Sequence, residues 1–119
     1  MNITGININF RYNHHIIFHN LEFEFGEGIS GISGQNGVGK STLLQLISGY
    51  KSVDSGQLLY QSIDINQIIT SLNIAQYLVF TAPYVHLVQE LTTLEFLHHY
   101  FLFKPKIANI DLEMMLDYA

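Results

Sequence analysis

The stretch Gly34-Gln35-Asn36-Gly37-Val38-Gly39-Lys40-Ser41-Thr42 constrains this chain more than any other. It fits the pattern G-x-x-x-x-G-K-[ST], in which glycines let successive backbone N–H groups converge on phosphate oxygens. Such a nest of donors feeding a helix N-terminus is a site of positive potential, suited to an anion. In that setting Lys40 reaches the β- and γ-phosphates, and the Ser41 hydroxyl completes a Mg²⁺ shell. The dull alternative is a glycine-rich turn ahead of a core helix. It leaves the lysine and the hydroxyl at the helix start unexplained.

The motif has meaning only between a strand and a helix. Upstream, Gly28 to Ser33 reads as a short buried strand. Downstream, Lys40 to Ser48 reads as a helix, with Leu43, Leu44 and Ile47 on one face and Gly49 as its C-terminal stop. Ile3 to Phe10 alternates, with Ile6, Ile8 and Phe10 apolar and Asn7 and Asn9 polar. Ile16 to Phe25 alternates again, so both read as half-buried strands joined by a turn around His14-His15. Gly56 to Tyr60 and Ile74 to Phe80 are further strand candidates, with Leu78-Val79-Phe80 as a core strand. Thr92 to Phe101 reads as a helix with Glu95 at capping-box spacing from Thr92, and Asp111 to Tyr118 as a further short helix. Strands, then phosphate loop and helix, then strand and helices describe an α/β fold with an antiparallel annex.

Composition narrows the partners. With 119 residues, 48% of them hydrophobic, the chain supports one core and not two domains. A net charge of −5, with five lysines and arginines, argues against a nucleic-acid or anionic-membrane surface. The absence of cysteine excludes a disulfide framework, and no apolar run reaches the length of a membrane span. The start, Met1-Asn2-Ile3-Thr4, lacks the basic and apolar segments of a signal peptide. The adjacent pairs His14-His15 and His98-His99 do not chelate through consecutive residues, since neighbours on a strand point to opposite faces.

The phosphate loop with Leu43-Leu44, then Ile47-Ser48-Gly49 and Asp54-Ser55-Gly56-Gln57-Leu58, resembles the nucleotide-binding subunit of ATP-binding-cassette (ABC) transporters. Phe10-Arg11-Tyr12 with Ile17 to Phe25 looks like that family's opening antiparallel strands, and Leu91 to Leu97 like its L-T-x-x-E-x-L helix start. The resemblance implies ATP and Mg²⁺ as ligands, held by Asn36, Gly37, Val38, Gly39, Lys40, Ser41 and Thr42, with Ser41 also on the metal. It places Tyr12 where an aromatic stacks on adenine, a job a flat π-face suits; the other reading of Tyr12 is a hairpin aromatic covering the core. It implies a second nucleotide-binding subunit, membrane-spanning transporter subunits near Pro83 to Phe103, and a cytoplasmic site at the membrane.

Two departures bound the functional expectation. The family puts a glutamine just after its core strand, whereas Leu78-Val79-Phe80 is followed by Thr81-Ala82-Pro83-Tyr84, with Gln89 the next glutamine. The sequence to Ala119 also contains no serine-glycine-glycine signature, no Asp-Glu pair after an apolar strand and no switch histidine. Asp64 and Asp111 only faintly imitate the Mg²⁺-holding aspartate, and Glu95 is better explained as a cap than as a catalytic carboxylate. No catalytic residue is assigned. The expectation is a P-loop NTPase core with an N-terminal antiparallel β subdomain, truncated before its second half. Residues to about 82 form the β subdomain and loop core, and those from about 83 begin a helical subdomain. ATPase activity belongs to the whole domain, and this chain alone is expected to be inactive. The alternatives are a non-hydrolytic or remnant nucleotide-binding module, and a cassette ATPase acting on DNA.

Overall fold

In a computed structural model, residues 1–62, 65–69, 73–83 and 88–103 are described. The chain divides into two compact units, Met1–Phe80 and Thr81–Ala119. The first unit holds a four-stranded antiparallel sheet in the order β2-β1-β3-β4. Its strands are β1 (Asn2–Tyr12), β2 (His15–Phe25), β3 (Ser55–Ser62) and β4 (Ile65–Ile69). Helix α1 (Lys40–Ile47) lies between β2 and β3 in sequence, and a 3-10 turn, Ile74–Gln76, follows β4.

The β1–β2 hairpin forms as its alternation predicts, but the turn is Asn13-His14, and His15 already belongs to β2. Asn13 takes φ 50, a left-handed conformation that asparagine tolerates better than most side chains. The same conformation recurs at Asn7 and Asn20, both inside strands. Each marks a break in register: Gly5 pairs with Phe23 and Ile8 with Leu21, then Phe10 with Phe18. An extra residue on β1 is thus followed by an extra residue on β2, two β-bulges side by side. The Asn9 side chain stitches them. Its Nδ2 donates to the Asn7 carbonyl at 2.8 Å, and its Oδ1 accepts from the Asn20 N–H at 2.9 Å.

The bulge at Asn7 overturns part of the expected strand pattern. Ile8 and Phe10 face the core, but the inward set continues as Gly5 and Ile3, and Ile6 is 36% exposed. One inserted residue reverses the faces on either side of it. Gly56 on β3 permits this, because it takes φ 99 and a Cβ there would strike the Asn7 carbonyl.

Helix α1 packs on the sheet through Leu43, Leu46 and Ile47, with Thr42 also buried. Leu44, expected on the inner face, is 45% exposed, and Leu46 takes its place. Residues 43, 46 and 47 make an i, i+3, i+4 stripe, which Leu44 leaves by about 100° of helix rotation. Ile8, Phe10, Leu58, Tyr60 and Ile74 complete the core.

Two expected strands do not form. Gly28 to Ser33 is irregular and Ile29 is fully exposed. Ile74 to Phe80 is the 3-10 turn followed by irregular chain, with Val79 71% exposed. A strand exists only through the hydrogen bonds of its neighbours, and among the described residues no strand lies beside either segment. The antiparallel annex is present; among the described residues the parallel layer is not.

The second unit contains helix α2 (Thr93–Leu102). Its start is the capping box that the spacing predicts: the Thr92 Oγ1 accepts from the Glu95 N–H, and Glu95 Oε2 accepts from the Thr92 N–H at 2.8 Å. Thr81 and Gln89 are exposed within this unit. The expected helix from Asp111 to Tyr118, and the positions of Asp64 and Asp111, lie outside the described residues.

Candidate functional site

The two ends of α1 are treated differently. At the C-terminus all four last carbonyls find donors. Leu44 accepts from Ser48 N–H at 2.9 Å, Gln45 from Lys51 N–H at 3.1 Å, and Leu46 from Gly49 N–H at 3.1 Å. Ile47 accepts from the Tyr60 hydroxyl at 2.6 Å. Gly49, with φ 74, makes the turn that allows this. At the N-terminus no side chain caps the helix, and the first intrahelical bond is Leu43 N–H to the Gly39 carbonyl at 2.8 Å. The N–H groups of Lys40, Ser41 and Thr42 therefore stand uncapped, as an incoming anion requires.

The loop is shaped around that opening. Gly39 sits at φ 108, and a Cβ there would lie 2.7 Å from Ile17 Cγ2 and 3.0 Å from Phe18 Cζ. Gly37 also takes a positive φ, 84. Glycine at 39 is needed twice over, for its dihedral and for the close approach to β2. The Lys40 ammonium donates to the carbonyls of Gly34 at 2.7 Å and Gln35 at 2.8 Å. It thus lies folded across its own loop, held by groups weaker than a phosphate oxygen.

Asn36, Gly37 and Val38 are exposed, Lys40 is half-buried and the Ser41 side chain faces solvent. Among the described residues no hydrogen bond ties up the Ser41 hydroxyl. An exposed hydroxyl one residue beyond Lys40 fits a Mg²⁺ ion, which keeps most of its shell as water and phosphate oxygens. The Thr42 side chain is buried at 9% exposure, so its free group toward the loop is the backbone N–H.

Tyr12 lies at the same end of the sheet as this loop. Gly39 abuts Phe18, whose partner on β1 is Phe10, while Ile47 at the far end of α1 meets Tyr60, whose partner is Ile3. The helix start is thus toward the hairpin end of β1. There the Tyr12 ring is 41% exposed and stands edge-to-face with Phe10, centroids 5.0 Å apart. The Lys51 ammonium lies 5.1 Å from the Tyr12 ring centroid. The backbone N–H of Arg11 donates to Asp54 Oδ2 at 3.0 Å, fixing the chain just before β3 beside the hairpin.

Sequence reasoning missed Lys51 and Tyr60. Tyr60 gives no local signal, and its hydroxyl is assigned only when β3 and α1 are seen together. Lys51 had one available sign, that it is one of five lysines and arginines in an acidic chain. Among the described residues no group of histidines and carboxylates is spaced to hold a metal, and no helix is long and apolar enough to cross a membrane.

Comparison with known proteins agrees with the loop. The chain is 37% identical over 86 residues to the cytochrome c biogenesis ATP-binding export protein CcmA of Vibrio cholerae, covering 71% of this chain and 41% of that protein. It is 36% identical over 86 residues to the protein of the same name from Escherichia coli K12, covering 71% and 40%. The chain therefore spans about two fifths of the length of these curated relatives. A family model described as ABC transporter matches residues 18–117. The match takes in most of β2, the phosphate loop, α1 and β3, and the chain belongs to the ABC transporter family, as part of its ATP-binding domain.

Proposed function

We propose that this chain binds MgATP through Asn36 to Thr42 and supplies part of the nucleotide site of a transporter ATPase. The observation that carries the reading is the asymmetry of α1: its C-terminus is fully satisfied, while its N-terminus is open beneath a lysine resting on loop carbonyls. A triphosphate entering the loop would exchange those carbonyls for charged oxygens and draw Lys40 onto the β- and γ-phosphates. The N–H groups at the helix start would hold the same oxygens, and the Ser41 hydroxyl would bind Mg²⁺. Mg²⁺ would neutralise charge on the β- and γ-phosphates. The Tyr12 ring, at the same end of the sheet, would carry the base by stacking.

The whole domain would act as a pair, each subunit closing on nucleotide and energising membrane-spanning subunits from the cytoplasmic side. The likeness to ATP-binding export proteins favours export as the direction. The segment from Pro83 to Phe103 would lie toward the membrane subunits.

The test is calorimetric titration with Mg²⁺ and a slowly hydrolysed ATP analogue. Lys40→Ala removes a charge-assisted contact worth on the order of 1.5–3 kcal/mol, so affinity should fall roughly 10- to 150-fold. Equal affinity for both proteins would sink the reading.

A further inference from the structure

Asn36-Gly37, inside the phosphate loop, is the one place in the chain where an asparagine precedes a glycine. The other eight asparagines precede Ile, Phe, His, Leu or Gln, whose side chains crowd the backbone nitrogen that follows the asparagine. Gly37 has no side chain to do so.

The loop presents this pair to solvent. Both residues are exposed, and they hold the two central positions of a turn that the Val38 N–H closes on the Gln35 carbonyl at 3.4 Å. Gly37 takes φ 84, close to the value at the third residue of a type II turn. The space around it is open, since a Cβ at Gly37 would meet no atom within 4 Å. Lys40 engages the carbonyls of Gly34 and Gln35, just before the pair. Among the described residues, neither the Asn36 side-chain amide nor the Gly37 N–H makes a hydrogen bond.

We propose that Asn36 is a site of spontaneous deamidation, and that the change disables the phosphate loop. Hydroxide takes the Gly37 amide proton, and the nitrogen attacks Asn36 Cγ. The new N–C bond closes a succinimide ring. The side-chain nitrogen leaves as ammonia, taking a proton from water and returning the hydroxide. Water then opens the ring at either carbonyl, leaving aspartate or isoaspartate at position 36.

Either product sets a carboxylate in the loop, where it repels phosphate oxygens and competes with them for the Lys40 ammonium. Isoaspartate also lengthens the main chain by one methylene, which carries the following N–H groups out of register with a ligand. A bound triphosphate has the opposite effect. It accepts from the loop N–H groups, keeps the Gly37 nitrogen protonated and holds the turn still. Loss of function and protection by ligand both rest on the reading of this loop as a MgATP site; the deamidation itself does not.

The experiment incubates the whole chain at mildly alkaline pH, with and without Mg²⁺ and a slowly hydrolysed ATP analogue. Circular dichroism follows folding, and peptide mass spectrometry with an isoaspartate-specific methyltransferase reads conversion at every asparagine. In the ligand-free folded chain, conversion at Asn36 should outrun that at each of the other eight and quicken as pH rises. The analogue should slow it. Binding, titrated by calorimetry, should fall in proportion to the converted fraction, and Asn36→Asp should bind about tenfold or more weakly, as a partly screened like charge beside the phosphates requires. Conversion at Asn36 no faster than elsewhere overturns the site. Conversion with undiminished binding, or an Asn36→Asp chain that binds like wild type, overturns the disabling of the loop. Fresh wild-type chain that binds no analogue overturns the nucleotide reading and the loss of function built on it, while the ligand-free conversion still decides the deamidation.

Discussion

The Tyr60 hydroxyl donates a 2.6 Å hydrogen bond to the Ile47 carbonyl, joining β3 to the last turn of the phosphate-loop helix inside the core. Tyr60 is fully buried, and burial pushes its phenol up from 10.0 to about 12. The bond meets the one terminal carbonyl of α1 that the backbone turn leaves over, so the helix is held from below while its upper end stays open.

Tyr60→Phe should therefore leave the Ile47 carbonyl buried and unsatisfied, at a cost of about 1–3 kcal/mol in urea unfolding. The same residue sets an alkaline limit. Its folded pKa lies above its unfolded value, so its contribution is fully present below pH 10, falls as pH rises toward 12, and is then lost. Tyr60→Phe should flatten the loss of stability across that window. Parallel alkaline curves for the two proteins would show that other tyrosines dominate.

Gly56→Ala should be the most costly of the small substitutions. The new Cβ meets the Asn7 carbonyl, a backbone atom that yields only if the bulge does, and φ 99 is strained for alanine. A loss of roughly 2–4 kcal/mol is expected, combining dihedral strain with displacement of the β1 bulge. Urea denaturation with amide spectra of Asn7 to Asn9 checks it. A mild effect would mean that β3 shifts freely against β1.

The Glu95 carboxylate is held below its ordinary value, first by the Thr92 hydroxyl and then by the Thr92 backbone N–H. Because the folded value is depressed, the capping contribution is present above pH 4.5 and is lost as pH falls through the folded value. NMR titration should show the Glu95 carboxyl shift and the helical signals of Phe96 to Tyr100 changing together on the acid side. Helical signals that ignore the Glu95 transition would remove the cap from any role in α2.

This chain alone should show no multiple-turnover ATP hydrolysis above the Lys40→Ala background. Lys40 and the Ser41 hydroxyl address charge on the γ-phosphate, but phosphoryl transfer also needs a group that positions the attacking water. Among the described residues of the first unit the histidines lie on the hairpin, and the carboxylates lie on β2, at Glu27 and at Asp54 just before β3. A phosphate-release assay decides it, and turnover abolished by Lys40→Ala would reveal a complete active site.

The local chemistry was written in the chain itself. The phosphate loop, the helix that follows it, Gly49 as its stop, the β1–β2 alternation and the Thr92–Glu95 box each depend on residues within a turn or two of one another. Spacing is enough to specify such features, since glycine dihedrals, caps and side-chain periodicity act over that range. The family resemblance rests on the same segments, which is why the loop residues from Asn36 to Thr42 are legible from spacing alone.

Tertiary structure decided whatever needed a partner far along the chain. Whether Leu44 or Leu46 turns inward depends on where the sheet lies against α1. The faces of β1 reverse at Asn7 because Gly56, 49 residues on, leaves room for a bulge. Gly28 to Ser33 and Leu78 to Phe80 look like strands but, among the described residues, lack neighbours to hydrogen-bond, and hydropathy cannot supply a neighbour. Tyr60 under Ile47 and Lys51 over Tyr12 are contacts between elements, made only once β3 pairs with β1. The sequence determined the form of the phosphate loop; packing decided how the helix that follows it is held and which ring Lys51 lies over.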